Sequence, residues 1–163
     1  MALSFNFSRV RLLGFFSTNA FAGFVATVPM TLFMLLMQRL LPRWQQYALP
    51  PERITNELGE RADVAKHMDE QERVGAALVS HFSYGTAMGY LYTPFAQKVA
   101  LPSALKGAIF GLIVWIGSYL GLVPALKMSE AAPLQPVRRN LLMIAAHLIW
   151  GISLGITASF LEK

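Results

Sequence analysis

The sequence predicts an all-α membrane protein of four transmembrane helices, arranged as two tandem hairpins in a parallel internal repeat, with a short amphipathic surface helix in the first loop. Three observations predict it. Of 163 residues, 55% are hydrophobic and 14% charged, and the apolar residues gather into runs long enough to cross a bilayer. Prolines and one polar segment punctuate those runs. One stretch is also written twice: Arg73, His81, Tyr84, Gly85 and Gly89 return at identical spacing as Arg139, His147, Trp150, Gly151 and Gly155. With two crossings per unit, the copies point the same way, related by an axis along the membrane normal.

The elements follow in order within a single domain spanning 1–163. Residues 1–11 read as a partly amphipathic lead-in, with Phe5, Phe7 and Val10 beside Arg9 and Arg11. The first helix falls at about 12–41. Its start imitates a signal peptide, but Ser17-Thr18-Asn19 interrupts the apolar stretch, which then runs on past Ala20-Phe21-Ala22; an uncleaved helix is the better reading. Pro29 should kink it, with Thr27 or Thr31 serving the freed backbone groups. Met30, Met34 and Met37 form a stripe at helical spacing. A soft-metal relay uses such spacing, whereas filling gaps between helices is the default role of methionine.

The polar loop 42–73 holds the predicted surface helix. Pro51 suits its first position, Ile54, Leu58, Ala62 and Ala65 make its apolar face, and Glu52, Arg53, Glu57, Glu60 and Arg61 fill the other. His67 belongs to this solvated segment, and Asp69 to Arg73 form a charged entry to the second helix, at about 74–96. The third, at about 105–126, carries Gly107, Gly111, Gly117 and Gly121, two small-xxx-small pairs that should let backbones approach closely. Trp115 and Tyr119 read as packing residues. Pro124 terminates that helix, and the fourth lies at about 140–161.

At about 100° per residue, histidine, aromatic, both glycines and arginine of each copy share one helix face. Gly85, Gly89, Gly151 and Gly155 are therefore predicted packing positions, while Ala158 reads as lipid-facing. The matches between the odd-numbered helices are weaker: Ala22-Gly23 against Phe110-Gly111, and Val28-Pro29 against Val123-Pro124, in different registers.

Four passages, AFAGFVATVPMTLFMLL, HFSYGTAMGYLY, LKGAIFGLIVWIGSYLGLVPAL and AAHLIWGISLG, resemble the YagU-like group of small bacterial inner-membrane proteins. The resemblance covers most of the chain outside 42–73. It implies a multi-pass protein of the bacterial inner membrane and carries no established activity to transfer.

His81 and His147 form the one site the sequence suggests, since an intramembrane ionisable residue is a functional candidate. Three readings stay open. In the first, both are neutral and hydrogen-bond to each other, to Tyr84, or to Ser17, Thr18 or Asn19, with Arg73 and Arg139 as interface anchors. In the second they are axial ligands of haem b, the glycines leaving room for a flat macrocycle and Arg73 and Arg139 meeting its propionates. In the third they pass protons or metal ions, and a dimer supplies the missing wall.

Other classes recede. The chain has no cysteine, so disulfides, thiolate metal sites and iron–sulfur clusters are excluded. Its formal net charge of +5 comes from residues at segment ends, which points to lipid headgroups and not to nucleic acid. No phosphate-binding glycine loop, zinc-protease motif or intramembrane carboxylate pair supports an enzyme. The expected partners are the lipid bilayer and, in an oligomer or membrane complex, other membrane helices.

Overall fold

The computed structural model describes residues 2–40, 52, 55, 57, 59–60, 68–125 and 134–162, with side chains from residue 14 onward. All regular structure among the described residues is helical. Of the predicted surface helix, only Glu52, Thr55, Glu57, Gly59 and Glu60 are described, each of them helical; the rest of that element, and His67, lie outside the described residues.

Helix α1 runs Ala2–Leu40, so the lead-in expected at 1–11 continues the first helix. Thr27 Oγ1 donates to the Gly23 carbonyl (2.8 Å) and Thr31 Oγ1 to the Thr27 carbonyl (2.7 Å). Neither serves the Val25 carbonyl, the one that loses its donor to Pro29. Helix α2, Glu70–Lys98, begins earlier than expected because the acidic run caps it. Asp69 Oδ1 accepts from the Glu72 amide and Glu72 Oε2 from the Asp69 amide, both at 2.8 Å, a reciprocal capping box. At its far end, Lys106 Nζ donates to the Ala96 carbonyl (2.9 Å), one of the acceptors a helix C-terminus leaves over.

Helix α3 is α-helical from Ser103 to Ile116, widens into a π-helical turn at Gly117–Leu122 and closes with Val123–Ala125. Within the turn, the Val123 amide reaches back five residues to the Ser118 carbonyl. Pro124 has no amide for the Leu120 carbonyl and its ring crowds that carbonyl, so widening the preceding turn relieves the clash. Helix α4 spans Val137–Leu161.

Gly14–Leu40, Ser103–Ala125 and Val137–Leu161 are long and apolar enough to cross a membrane. Helix α2, expected as a fourth span, falls short of that because Ser80, His81, Ser83, Tyr84 and Thr86 dilute its apolar run. Polarity is distributed as in a bilayer. Phe21, Leu32, Val79 and Phe160 are more than half exposed, while Asn19, Thr27, Thr93, Ser118 and His147 are buried. The apolar exteriors of these helices fit a lipid environment.

Two glycine crossings set the helix pairs, α1 against α2 and α3 against α4. A Cβ on Gly89 would overlap the Asn19 carbonyl and crowd Gly23, and one on Gly85 would strike Thr27 Oγ1. In the second crossing, a Cβ on Gly151 would overlap the Gly107 carbonyl, one on Gly155 the Ser103 carbonyl, and one on Gly111 the His147 carbonyl. Backbones therefore approach closely at both glycine crossings. The contacts also correct the register between the odd-numbered helices: Asn19, Gly23 and Thr27 occupy the places of Ser103, Gly107 and Gly111, one turn from the Gly23–Gly111 match. Gly117 and Gly121 do not act as expected, since a Cβ on either would meet nothing within 4 Å. Ala158 is 3% exposed and faces protein, contrary to its lipid-facing reading.

The pairs join along α1 and α4, which pack extensively, whereas α2 and α3 barely touch. Trp150 Nε1 donates to the Gly23 carbonyl (3.3 Å) across the α1–α4 seam. Around it, Tyr92 and Phe95 of α2, Phe110 of α3 and Trp150 of α4 form a ring cluster, with centroids 5.2 Å apart for Tyr92–Phe110 and 6.2 Å for Phe110–Trp150. This aromatic plug fills the core on the side of the α2–α3 connection.

Candidate functional site

On the other side of the plug, toward the start of α2 and of α4, the core changes character. His147, 6% exposed, is the only buried histidine among the described residues. Its Nδ1 lies 2.7 Å from the Met143 carbonyl one turn back; a carbonyl only accepts, so Nδ1 carries the proton and Nε2 keeps its lone pair. The ring stands edge-on to Tyr119, centroids 5.9 Å apart at 90°. His81 is half-buried, packs edge-on to Phe82, and its Nε2 is buried with no hydrogen-bond partner.

The π turn brings a second polar pair to this place. Tyr84 Oη and Ser118 Oγ are 2.7 Å apart and link α2 to α3 where these helices otherwise hardly meet. Tyr119, the next residue, is buried and stacks on Trp115 (6.2 Å, 20°). Met30 and Met34 of α1 and Met143 of α4 are buried in the same core cluster as Tyr119. Met37 is half-buried at the edge of the stripe.

The predicted residues are thus brought together in part. His81 and His147 share neither a hydrogen bond nor a ring contact. Helices α2 and α4 are not a principal packing pair, because the glycine face of each turns to another helix, α1 for α2 and α3 for α4. The expected polar partners differ as well. Asn19 Nδ2 donates to Thr93 Oγ1 (3.1 Å), far along the core from either histidine, and Ser17 Oγ donates to the Gly14 carbonyl (2.9 Å). Of the repeat's arginines, Arg73 donates from Nε to the Met68 carbonyl (3.3 Å) at its own helix start.

The residues do not fit haem. Gly85, Gly89, Gly151 and Gly155, the positions that would make room for a macrocycle, are filled by backbone and by Thr27. What remains is a group of neutral donors: two imidazoles, a phenol bonded to a hydroxyl, and thioethers. No Asp or Glu lies in the chain between 14–40, 74–125 or 137–161. Such a set can accept a proton or ligate a cation. Nothing in the sequence pattern singles out Ser118, and Tyr119 reads there as packing alone; the available signal is Pro124, which disturbs the turn that carries them.

These features define a multi-pass membrane protein with a polar core. The family model described as "Protein of unknown function (DUF1440)" matches residues 20–156, and the chain belongs to that family. No curated protein and no solved structure matches the chain.

Proposed function

We propose that this chain is a four-span protein of the bacterial inner membrane, built as two tandem hairpins with a surface helix between them, and that its core is a cation site reached from one side. The location rests on the resemblance to YagU-like proteins, and the fourth span on α2, whose 29 residues pack along α1 by a glycine crossing. The observation that carries the functional reading is the buried, partnerless Nε2 of His81. An unpaired polar atom in an apolar core costs about 1–3 kcal/mol, and a bound proton, water or metal ion offsets that cost. Tyr84, Ser118 and the free lone pair of His147 Nε2 supply further donors near it. The aromatic plug closes the opposite end, which favours a one-sided site over a pore through a single chain.

The test uses the absence of native cysteine. In oriented vesicles, His81→Cys should react with a membrane-impermeant maleimide only from the side of Glu70 and Val137. Reaction from the other side, or from both sides, would refute one-sided access. Zn(II), Co(II) and Cu(I) binding to detergent-purified protein, weakened in the His81→Ala/His147→Ala variant, tests the cation itself.

A further inference from the structure

We infer that Met30, Met34, Met143 and His147 form a binding site for one soft monovalent cation, Cu(I) or Ag(I). This rests on reading the core as a cation site and names the class of ion it takes. The four side chains are 6%, 3%, 6% and 6% exposed, so the donors are enclosed by protein.

Register brings Met30 and Met143 to one level, with Met34 and His147 a turn to either side. Helices α1 and α4 run antiparallel, and the Trp150–Gly23 hydrogen bond ties them at one height. Met30 lies seven residues beyond Gly23, and Met143 seven residues before Trp150, so both stand about 10.5 Å from that tie toward the same end. Met34 lies one turn further along α1, and His147 one turn nearer the tie on α4. Helical side chains lean toward their own N-terminus. Met30 and Met34 therefore lean toward the tie and His147 away from it, which narrows the gap in height between thioethers and imidazole.

The donor chemistry selects the ion. His147 Nδ1 donates to the Met143 carbonyl, and a metal-ligating histidine usually fixes its ring by donating the other N–H to such an acceptor. Its Nε2 lone pair is thereby directed away from its own helix backbone. The chain has no thiolate, and its membrane segments have no carboxylate to balance a second charge. Neutral thioethers and imidazole suit a polarisable monovalent ion, whereas a divalent ion would keep a large uncompensated charge in the core. Ordinary core methionines would fill the same space, but would not discriminate between ions.

The experiment is a titration of purified protein in detergent with Ag(I), and with Cu(I) against a colorimetric chelator. One equivalent per chain is expected. Met30→Leu/Met34→Leu, close in volume and so expected to fold, should weaken binding at least tenfold, as should His147→Leu. Met68→Leu, away from the core, should change nothing. X-ray absorption of the Cu(I) form should show sulfur together with nitrogen neighbours. Equal Ag(I) affinity in Met30→Leu/Met34→Leu and Met68→Leu would overturn the assignment. So would binding of Zn(II) or Co(II) dependent on His81 and His147 without Ag(I) binding, an outcome that leaves the cation-site reading standing. Absence of binding by any of these ions removes both.

Discussion

The two seams that join the helix pairs differ sharply, although the repeat relates them. Along α1–α4 the helices lie close, with Ala22, Ala26 and Ala146 each fully buried and Trp150 bonded to the Gly23 backbone. Along α2–α3 they barely touch and are linked by the Tyr84–Ser118 and Lys106–Ala96 bonds. The register of the glycine crossings explains the difference. With Gly23 in the place of Gly107, Ala22 and Ala26 correspond to Lys106 and Phe110, and Met34 corresponds to Ser118. Two alanines on one seam become a lysine and a phenylalanine on the other, and the bulk holds α2 away from α3. The crossings inside each pair stayed alike while the seams between pairs diverged, and the polar core sits beside the wedged one.

The largest effect is expected where the two halves agree. Gly85→Leu and Gly151→Leu each drive a side chain into a neighbouring helix: Thr27 in the first crossing, the Gly107 backbone in the second. Overpacking typically costs about 1–3 kcal/mol, and rigid backbone yields less than side chains do. Both variants should lose monodisperse folded protein in detergent, Gly151→Leu more completely because backbone opposes it. Val79→Leu, at a position 68% exposed, should elute like the parent. If the two crossings tolerate leucine equally well, they are not backbone contacts.

A smaller effect should separate the seams directly. Ser118→Cys sits in the wedged seam and Ala26→Cys is fully enclosed on α1. With no competing thiol in the chain, a water-soluble maleimide should modify Ser118→Cys at least ten times faster. Equal rates would mean that both seams are dry.

The pattern of the sequence revealed the glycine crossings because small residues recurring with two histidines is a statement about one helix face. Most helix ends are legible from apolar runs and prolines to within a few residues, but α1 starts about ten residues before the expected 12, because its polar-flanked lead-in continues the helix. Ala158 was misjudged because a moderately apolar alanine looks alike toward lipid or protein, and only the neighbouring helix decides. The pairing of the histidines was over-read for a related reason. Equal depth on parallel helices says nothing about lateral direction, and the glycines of that face turn to α1 in one copy and to α3 in the other. The π turn was hidden since its cause, Pro124, acts on residues before it and reads simply as a terminator.

Next in size is Asn19, which ties α1 to α2 through Thr93 within the first crossing. Interhelical hydrogen bonds in membranes average about 0.6 kcal/mol and reach about 1.7. Asn19→Ala should fall in that range by equilibrium unfolding in mixed micelles, reduced by whatever relief follows from removing its partnerless Oδ1. The second crossing has Ser103 at the equivalent place, so Ser103→Ala should cost less.

The smallest stability effect belongs to Tyr84→Phe, and it sharpens the comparison most. The substitution deletes one hydroxyl and leaves the ring in place. On the α2–α3 seam the Tyr84–Ser118 bond is one of two polar links, and few neighbouring contacts reinforce it. Its net contribution should be about 0.6 kcal/mol, the membrane average. A double-mutant cycle with Ser118→Ala should return that amount as coupling, since each single change removes the same bond. The consequence for the core should exceed the cost in stability. Freed from Tyr84, Ser118 loses its hydrogen bond across the seam, and the π turn that presents Tyr119 to His147 is released on that side. Maleimide labelling of His81→Cys should therefore rise in the Tyr84→Phe background while unfolding barely shifts. A change in stability with no change in labelling would place the Tyr84–Ser118 bond in packing alone, and the wedged seam would then be a by-product of bulk at Phe110.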